Sequence, residues 1–347
     1  MHHFFQRHPR WYLYLLLFAI LCGMFFLPKV AAAGALKGLM LWFETLLPVL
    51  LPFLMVSGLL IRLNMTRPVN QLLSPLLCRI LPISEQACYP LLLGLLCGMP
   101  LGAKTTATLY ERRSISPADA AFLLAFANNA SLMFIVSYVI ENRLRQPAHT
   151  LSFLTIIYIS ALLSALLLPY HNKAVPSNTA NDKNTTSVSA TEVSSQYTSF
   201  TKNFRQPSTD IIQVQPVTPP TFTQAIDDSI TDSLQTITKI GGYIILFSML
   251  SGFLVHSTLL PEVIRATAAG ILEITGGIQL ICESTLPATQ KTALTLAITS
   301  FGGISGLMQT RSVTLRSGLS IKHYFFQKCT QAIITYLLTL LLFQLWS

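Results

Sequence analysis

The residues of this chain that could do chemistry gather where glycine and proline interrupt apolar segments. Gly98-Met99-Pro100-Leu101-Gly102-Ala103 runs into Lys104, and Phe301-Gly302-Gly303-Ile304-Ser305-Gly306 runs on to Gln309 and Arg311. A helix interrupted inside an apolar segment leaves N–H groups unpaired on one half and carbonyls unpaired on the other. The N–H end carries partial positive charge and favours anions; the carbonyl end favours cations and donors. Two such breaks in one chain point to a polar solute site built with few charged side chains. Asn128, Asn129 and Ser131 lie within the apolar stretch Pro117–Ile140, and Glu273 and Thr275 within another. The candidate pathway residues are therefore Gly98, Pro100, Gly102, Lys104, Asn128, Asn129, Ser131, Glu273, Thr275, Gly302, Gly303, Ser305 and Gln309.

Each of these has a functional and a structural reading. The Lys104 ammonium either holds an anionic substrate beside the glycine tip or snorkels to the interface. The amides of Asn128 and Asn129 either line a pathway or hydrogen-bond another helix. A carboxylate in a spanning segment, Glu273, is a candidate for coupling to H⁺ or Na⁺, or else pairs with Lys104 or an arginine. Arg311 is a loop anchor or a substrate contact, and Glu44 and Asp119 suit interfacial or capping positions. The sequence holds no phosphate-binding loop, nucleophile elbow or zinc-protease helix, so it reads as neither an enzyme nor a nucleotide-driven motor, and no cofactor or metal is expected.

The elements that must position these residues are apolar helices. Of the 347 residues 52% are hydrophobic and only 11% charged, against about 25% charged in a soluble domain. Charge at mid-bilayer costs roughly 2.5–3.5 kcal/mol, so the deficit says that much of the surface faces lipid. The net charge of +9 comes from short clusters beside apolar runs, such as Arg112-Arg113 and Arg143 with Arg145. Topology and lipid headgroups account for these, and nucleic acid is not expected as a partner. Six cysteines without a C-x-x-C pair read as buried hydrophobes.

The expected architecture is all-α and polytopic. Residues 1–33 are an uncleaved first helix entering from the cytoplasmic side, with its apolar run over Trp11–Leu27. Gly34–Leu47 reads as an amphipathic helix, followed by a proline-interrupted span to Ile61. Val69–Leu81 is a short helix, Pro90–Thr106 a re-entrant hairpin, Pro117–Ile140 a span and His149–Leu168 another. Residues 169–222, rich in Ser, Thr, Asn and Pro, read as a disordered linker carrying a weak glycosylation signal at Asn184. Beyond it come a helix with Asp227, Asp228 and Asp232 on one side, a span over Gly241–Leu254, a helix over Pro261–Ile281, a second glycine-broken hairpin over Ala293–Gln309, and a final span closed by Trp346.

These segments suggest two related gate-like halves, 34–168 and 223–347. Ser57-Gly58 corresponds to Ser251-Gly252, and Gly98–Gly102 to Gly302–Gly306. If the halves are inverted, charge counting cannot put both basic loops on one side of the membrane.

On Leu46-Leu47-Pro48 through Pro52-Phe53, Gly98-x-Pro100-x-Gly102-Ala103-Lys104, Asn128-Asn129-x-Ser131-x-x-Phe134-Ile135, Glu273-x-Thr275-x-Gly277 and Phe301-Gly302-Gly303-Ile304-Ser305 with Gln309, the chain resembles the YlbJ (SpoVV) family of sporulation integral membrane proteins. That family belongs to the wider group with a nucleoside-recognition or Gate domain. The resemblance covers roughly 34–168 and 223–346 and departs from the family pattern at Ala130, Leu132 and Gly306–Met308. It implies a multi-pass protein of the cell membrane or outer forespore membrane that moves dipicolinate or a similar small anion during sporulation. Membrane lipid, a second copy of the chain or other sporulation membrane proteins are the implied partners. A nucleoside or nucleobase transporter and a non-transporting scaffold are the alternatives.

Overall fold

A computed structural model describes residues 11–168, 221–257 and 260–346. Every regular element among them is helical. In chain order they are α1 (Trp11–Phe26), α2 (Pro28–Arg62), α3 (Arg67–Ile80), α4 (Cys88–Cys97), α5 (Leu101–Glu111), α6 (Pro117–Phe126), α7 (Phe134–Leu144), α8 (Thr150–Leu167), α9 (Phe222–His256), α10 (Glu262–Leu272), α11 (Ile274–Glu283), α12 (Ala288–Phe301), α13 (Gly303–Thr314) and α14 (Ile321–Trp346). Four helices are long and apolar enough to cross a membrane: α2, α8 with the turn before it, α9 and α14. A pair bent by 105°, α3 with the helix over Glu85–Cys97, makes a fifth if counted as one span. Large apolar side chains face outward, among them Phe18, Phe25, Leu72, Leu151 and Leu345. Such a surface would aggregate in water and is at rest in lipid. The chain is thus an all-α, multi-pass membrane protein. The linker up to residue 220, with Asn184, lies outside the described residues, as does the Trp346 side chain; Thr221 already caps α9, accepting a hydrogen bond from the Gln224 N–H.

Two long helices are more continuous than the sequence suggests. The amphipathic segment from Gly34 and the proline-rich span after it are one helix, α2, and the acidic segment before Gly241 joins the span after it as α9. Pro48 and Pro52 do not break α2. The turns just before them, Leu41–Leu46, are wound as π-helix, and the Leu47 N–H reaches back to the Trp42 carbonyl. This wider winding makes room for a proline ring and its missing donor. The pairing of α2 with α9 is close: a Cβ at Gly34 would lie 2.9 Å from Met249 Cα, and one at Gly38 would lie 2.9 Å from Ile245 Cα. Small residues let helices approach in lipid, where no water-driven force presses them together. The Trp42 indole N–H donates to the Ile237 carbonyl across the same contact at 3.0 Å.

The shorter helices come in two kinds of broken pair. Helices α4 and α5 fold back on each other about Gly98–Pro100, with Gly94 and Gly102 in backbone contact. Helices α10 and α11 do the same about Glu273, with Gly270 against Gly277. By contrast α6 and α7 part at residues 127–133 and run on to different neighbours, as do α12 and α13 at Gly302: α12 lies along α14, and α13 along α5 and α9. This corrects three expectations. Pro117–Ile140 is broken at its asparagines. Pro261–Ile281 is a hairpin turning at Glu273. Ala293–Gln309 is broken at its glycines but does not fold back. Before residue 168 the order is long helix, α3, hairpin, broken pair and closing helix; after 221 it is long helix, hairpin, broken pair and closing helix, with nothing in the place of α3 among the described residues.

Candidate functional site at the helix breaks

Each break has a local chemical cause. Helix α4 ends on Gly98, whose φ of 71° lies in the left-handed region where a side chain is strained, and Pro100 offers no N–H. Helix α6 ends because the Asn129 side-chain amide donates to the Phe126 carbonyl at 2.6 Å, taking one of the acceptors a next turn would use. The Ser131 hydroxyl then accepts from the Phe134 N–H at 3.2 Å and starts α7. Glu273 stands in extended conformation, and its carboxylate accepts from the N–H groups of Thr275 and Gly276, both at 2.9 Å, and from the Thr275 hydroxyl. The buried carboxylate thus caps the N-terminus of α11, where negative charge is favoured. It does not pair with Lys104. It borders a cavity of about 550 Å³ that Lys29 and Lys37 also line.

The four breaks meet. The Met99 N–H donates to the Asn129 carbonyl at 2.6 Å, so the first hairpin tip is bonded to the α6/α7 break. A Cβ on Gly303 would lie 3.3 Å from the Leu272 carbonyl oxygen, so the second tip seats against the α12/α13 break. The Met99 side chain reaches Gly302 and Gly306, and the Tyr138 hydroxyl donates to the Thr275 carbonyl at 2.8 Å. The structure therefore brings together Gly98, Asn129 and Ser131 on one side and Glu273, Thr275, Gly302 and Gly303 on the other. Ser305 and Gln309 bond each other along α13 at 3.1 Å.

Beside this junction lies a polar cluster. Asn128 donates to the Thr310 hydroxyl at 2.9 Å and to the Tyr324 hydroxyl at 2.8 Å, while its own Oδ1 is buried without a partner. The Tyr324 hydroxyl donates in turn to the Asn128 carbonyl at 3.2 Å. Asn129 Oδ1 accepts from Lys328 at 2.6 Å and from Gln331 at 2.9 Å. Thr335 joins Ser300 at 2.9 Å and Ser160 at 2.6 Å. Tyr324, Lys328, Gln331 and Thr335 were missed as site residues by the sequence reading. Their spacing of three and four, a polar stripe along an otherwise apolar closing helix, was the available signal.

Lys104 lies apart from the tip contacts. It sits one turn into α5 and pairs with Asp232 of α9 at 3.1 Å, with both side chains partly exposed. It lines a cavity of about 420 Å³ between α2, α5, α9 and α13. Five cations (Arg62, Lys104, Arg112, Lys239 and Arg316) border this cavity against two carboxylates, Glu111 and Asp232. Burial and the nearby Arg62 lower the pKa of Arg112 from its usual value; Arg112 donates to the Ile61 carbonyl at 2.7 Å, and Arg62 pairs with Asp228 at 3.3 Å.

Helices that break inside the bundle, with tips and breaks meeting at amide, hydroxyl and backbone groups, define a polytopic membrane protein organised about an internal polar junction. Among curated proteins the chain is similar to the sporulation integral membrane protein YlbJ of Bacillus subtilis (strain 168), with 25% identity over 334 residues. That alignment spans 91% of this chain and 78% of the relative, so the resemblance to the YlbJ family seen in the motifs extends along nearly the whole length. No family model matches the chain, and no solved structure matches it.

Proposed function

We propose that the protein carries a small organic anion, dipicolinate foremost, across a membrane of the sporulating cell, with residues 34–168 and 223–347 acting as two related halves. The observation that carries this reading is the cavity at Lys104. It opens between α2, α5, α9 and α13, is bordered by five cations against two carboxylates, with Arg62 also paired to Asp228, and is of a size for a small dianion. A cationic cleft with low-dielectric walls concentrates anions. The curated relative's name supplies the sporulation context. Neutralising Lys104 lowers the positive charge around the cavity and neutralising Asp232 raises it, so the two changes move affinity in opposite directions.

The test is uptake of labelled dipicolinate into proteoliposomes. Wild type takes it up, Lys104→Ala raises KM, and Asp232→Asn, which removes a carboxylate from the cavity, lowers KM. Uptake of labelled uridine in place of dipicolinate would redirect the reading to nucleosides. Uptake of neither, by protein that elutes as a single species, would leave a scaffold. A parallel loss in both variants would show the pair to be structural only.

A further inference from the structure

Lys328 is fully buried in α14, and its ammonium points inward rather than to an interface. A lysine ammonium has three N–H donors and no acceptor. Here all three are used: on Asn129 Oδ1 at 2.6 Å, on Gln331 Oε1 at 2.9 Å and on the Ser300 carbonyl at 3.3 Å. The Tyr324 ring face lies 5.8 Å away, within range of a cation–π contact. None of these partners carries a formal charge. What stabilises the ammonium is neutral oxygens: the Asn129 side-chain amide at the α6/α7 break, the Gln331 side-chain amide within α14 and the Ser300 backbone carbonyl at the end of α12. Ser300 belongs to the last turn of α12, and Asn129 follows the last turn of α6. The Ser300 carbonyl lies at the negative end of its helix dipole, where backbone carbonyls lack intrahelical partners.

Amide and backbone carbonyl oxygens converging at the C-terminal ends of broken helices are what a monovalent cation takes from a membrane protein. A divalent ion would call for carboxylates, and this cluster has none. We propose that the Lys328 ammonium is a tethered cation filling a monovalent-cation site made by Asn129, Gln331 and the Ser300 carbonyl. Removing the side chain opens that site to Na⁺ or K⁺. Resting on the transport reading above, a second consequence is that the protein needs no Na⁺ gradient.

The test is thermal stability in detergent, which does not depend on transport. Wild type, Lys328→Ala and Lys328→Met are purified and melted in NaCl, KCl and N-methylglucamine chloride at equal ionic strength. Wild type should melt alike in all three. Lys328→Ala should melt several degrees lower in N-methylglucamine and recover, saturably, in NaCl or KCl. Lys328→Met, whose side chain fills the space, should stay low in every salt. Three outcomes overturn the proposal: no difference between salts for Lys328→Ala, including failure to fold in all of them; the same recovery in Lys328→Met; or stabilisation of wild type by Na⁺. Uptake is measured separately with and without Na⁺: uptake in neither buffer counts against the transport reading, and uptake only with Na⁺ overturns the independence from a Na⁺ gradient.

Discussion

Replacing Gly102 by alanine tests how the first hairpin closes. A Cβ at that position lies 2.8 Å from Gly94 Cα, whereas carbon atoms rest about 3.5–4.0 Å apart. The two arms must therefore part by about 0.7–1.2 Å. The obstructing atom is backbone, so no rotamer change relieves it, and Gly94 is itself held against Ala127 at the α6/α7 break. Overpacking of this kind costs roughly 1–3 kcal/mol. Alanine's advantage over glycine in a helix returns about 0.5–1 kcal/mol. The expected net loss is up to about 2.5 kcal/mol. It is read as a lower melting midpoint of detergent-purified protein, followed by the surviving monodisperse peak after heating. Gly242→Ala is the reference, because that helical position on α9 is exposed and meets nothing within 4 Å. It should melt at or above wild type. A Gly102→Ala protein melting as high as Gly242→Ala would refute the close-packed hairpin.

Gly98→Ala should be more damaging than Gly102→Ala, since it adds a strained φ of 71° to a Cβ 2.7 Å from the Asn129 carbonyl oxygen; expression and monodispersity report it. Asp119→Ala should cost at least the ~1–2 kcal/mol of a lost helix cap. Its carboxylate holds the Ser116 N–H and hydroxyl and also the Ser84 N–H and hydroxyl, at 2.9–3.2 Å; melting of Asp119→Asn, which keeps an acceptor, should fall between the two. Trp42→Phe should lower stability by about 0.5–1.5 kcal/mol, the worth of one hydrogen bond, through loss of the indole contact to α9, and an unchanged midpoint would argue that the α2–α9 packing does not need it.

Much of the architecture is legible locally. Apolar runs mark the helices that meet lipid, and charge is scarce because lipid penalises it. Gly98 with Pro100, and the Gly302-Gly303 pair, disfavour a continuous helix, although Pro52 and the Gly241-Gly242 pair sit inside continuous ones. Ser116 with Asp119 announces a capping box that the structure contains. Glu273 was legible as exceptional, a carboxylate in an apolar segment, but its principal contacts are with the start of its own α11.

What the sequence by itself determined is where apolar helices run, because that follows from residues a turn apart; it did not determine where they stop, since the breaks at 127–133 and Glu273 read as continuous and α2 and α9 read as divided. The tertiary structure alone decided what each break becomes. A hairpin forms where small residues stand on both arms, as at Gly94 with Gly102 and Gly270 with Gly277, and α12 and α13, without such backbone contact, run on apart. It also decided which cation meets which oxygen. Lys104 finds Asp232, and Lys328 finds Asn129. Such partners lie far apart along the chain, so no periodicity links them, and only the packing of α14 against α6 and α12 brings the buried ammonium to the oxygens that hold it.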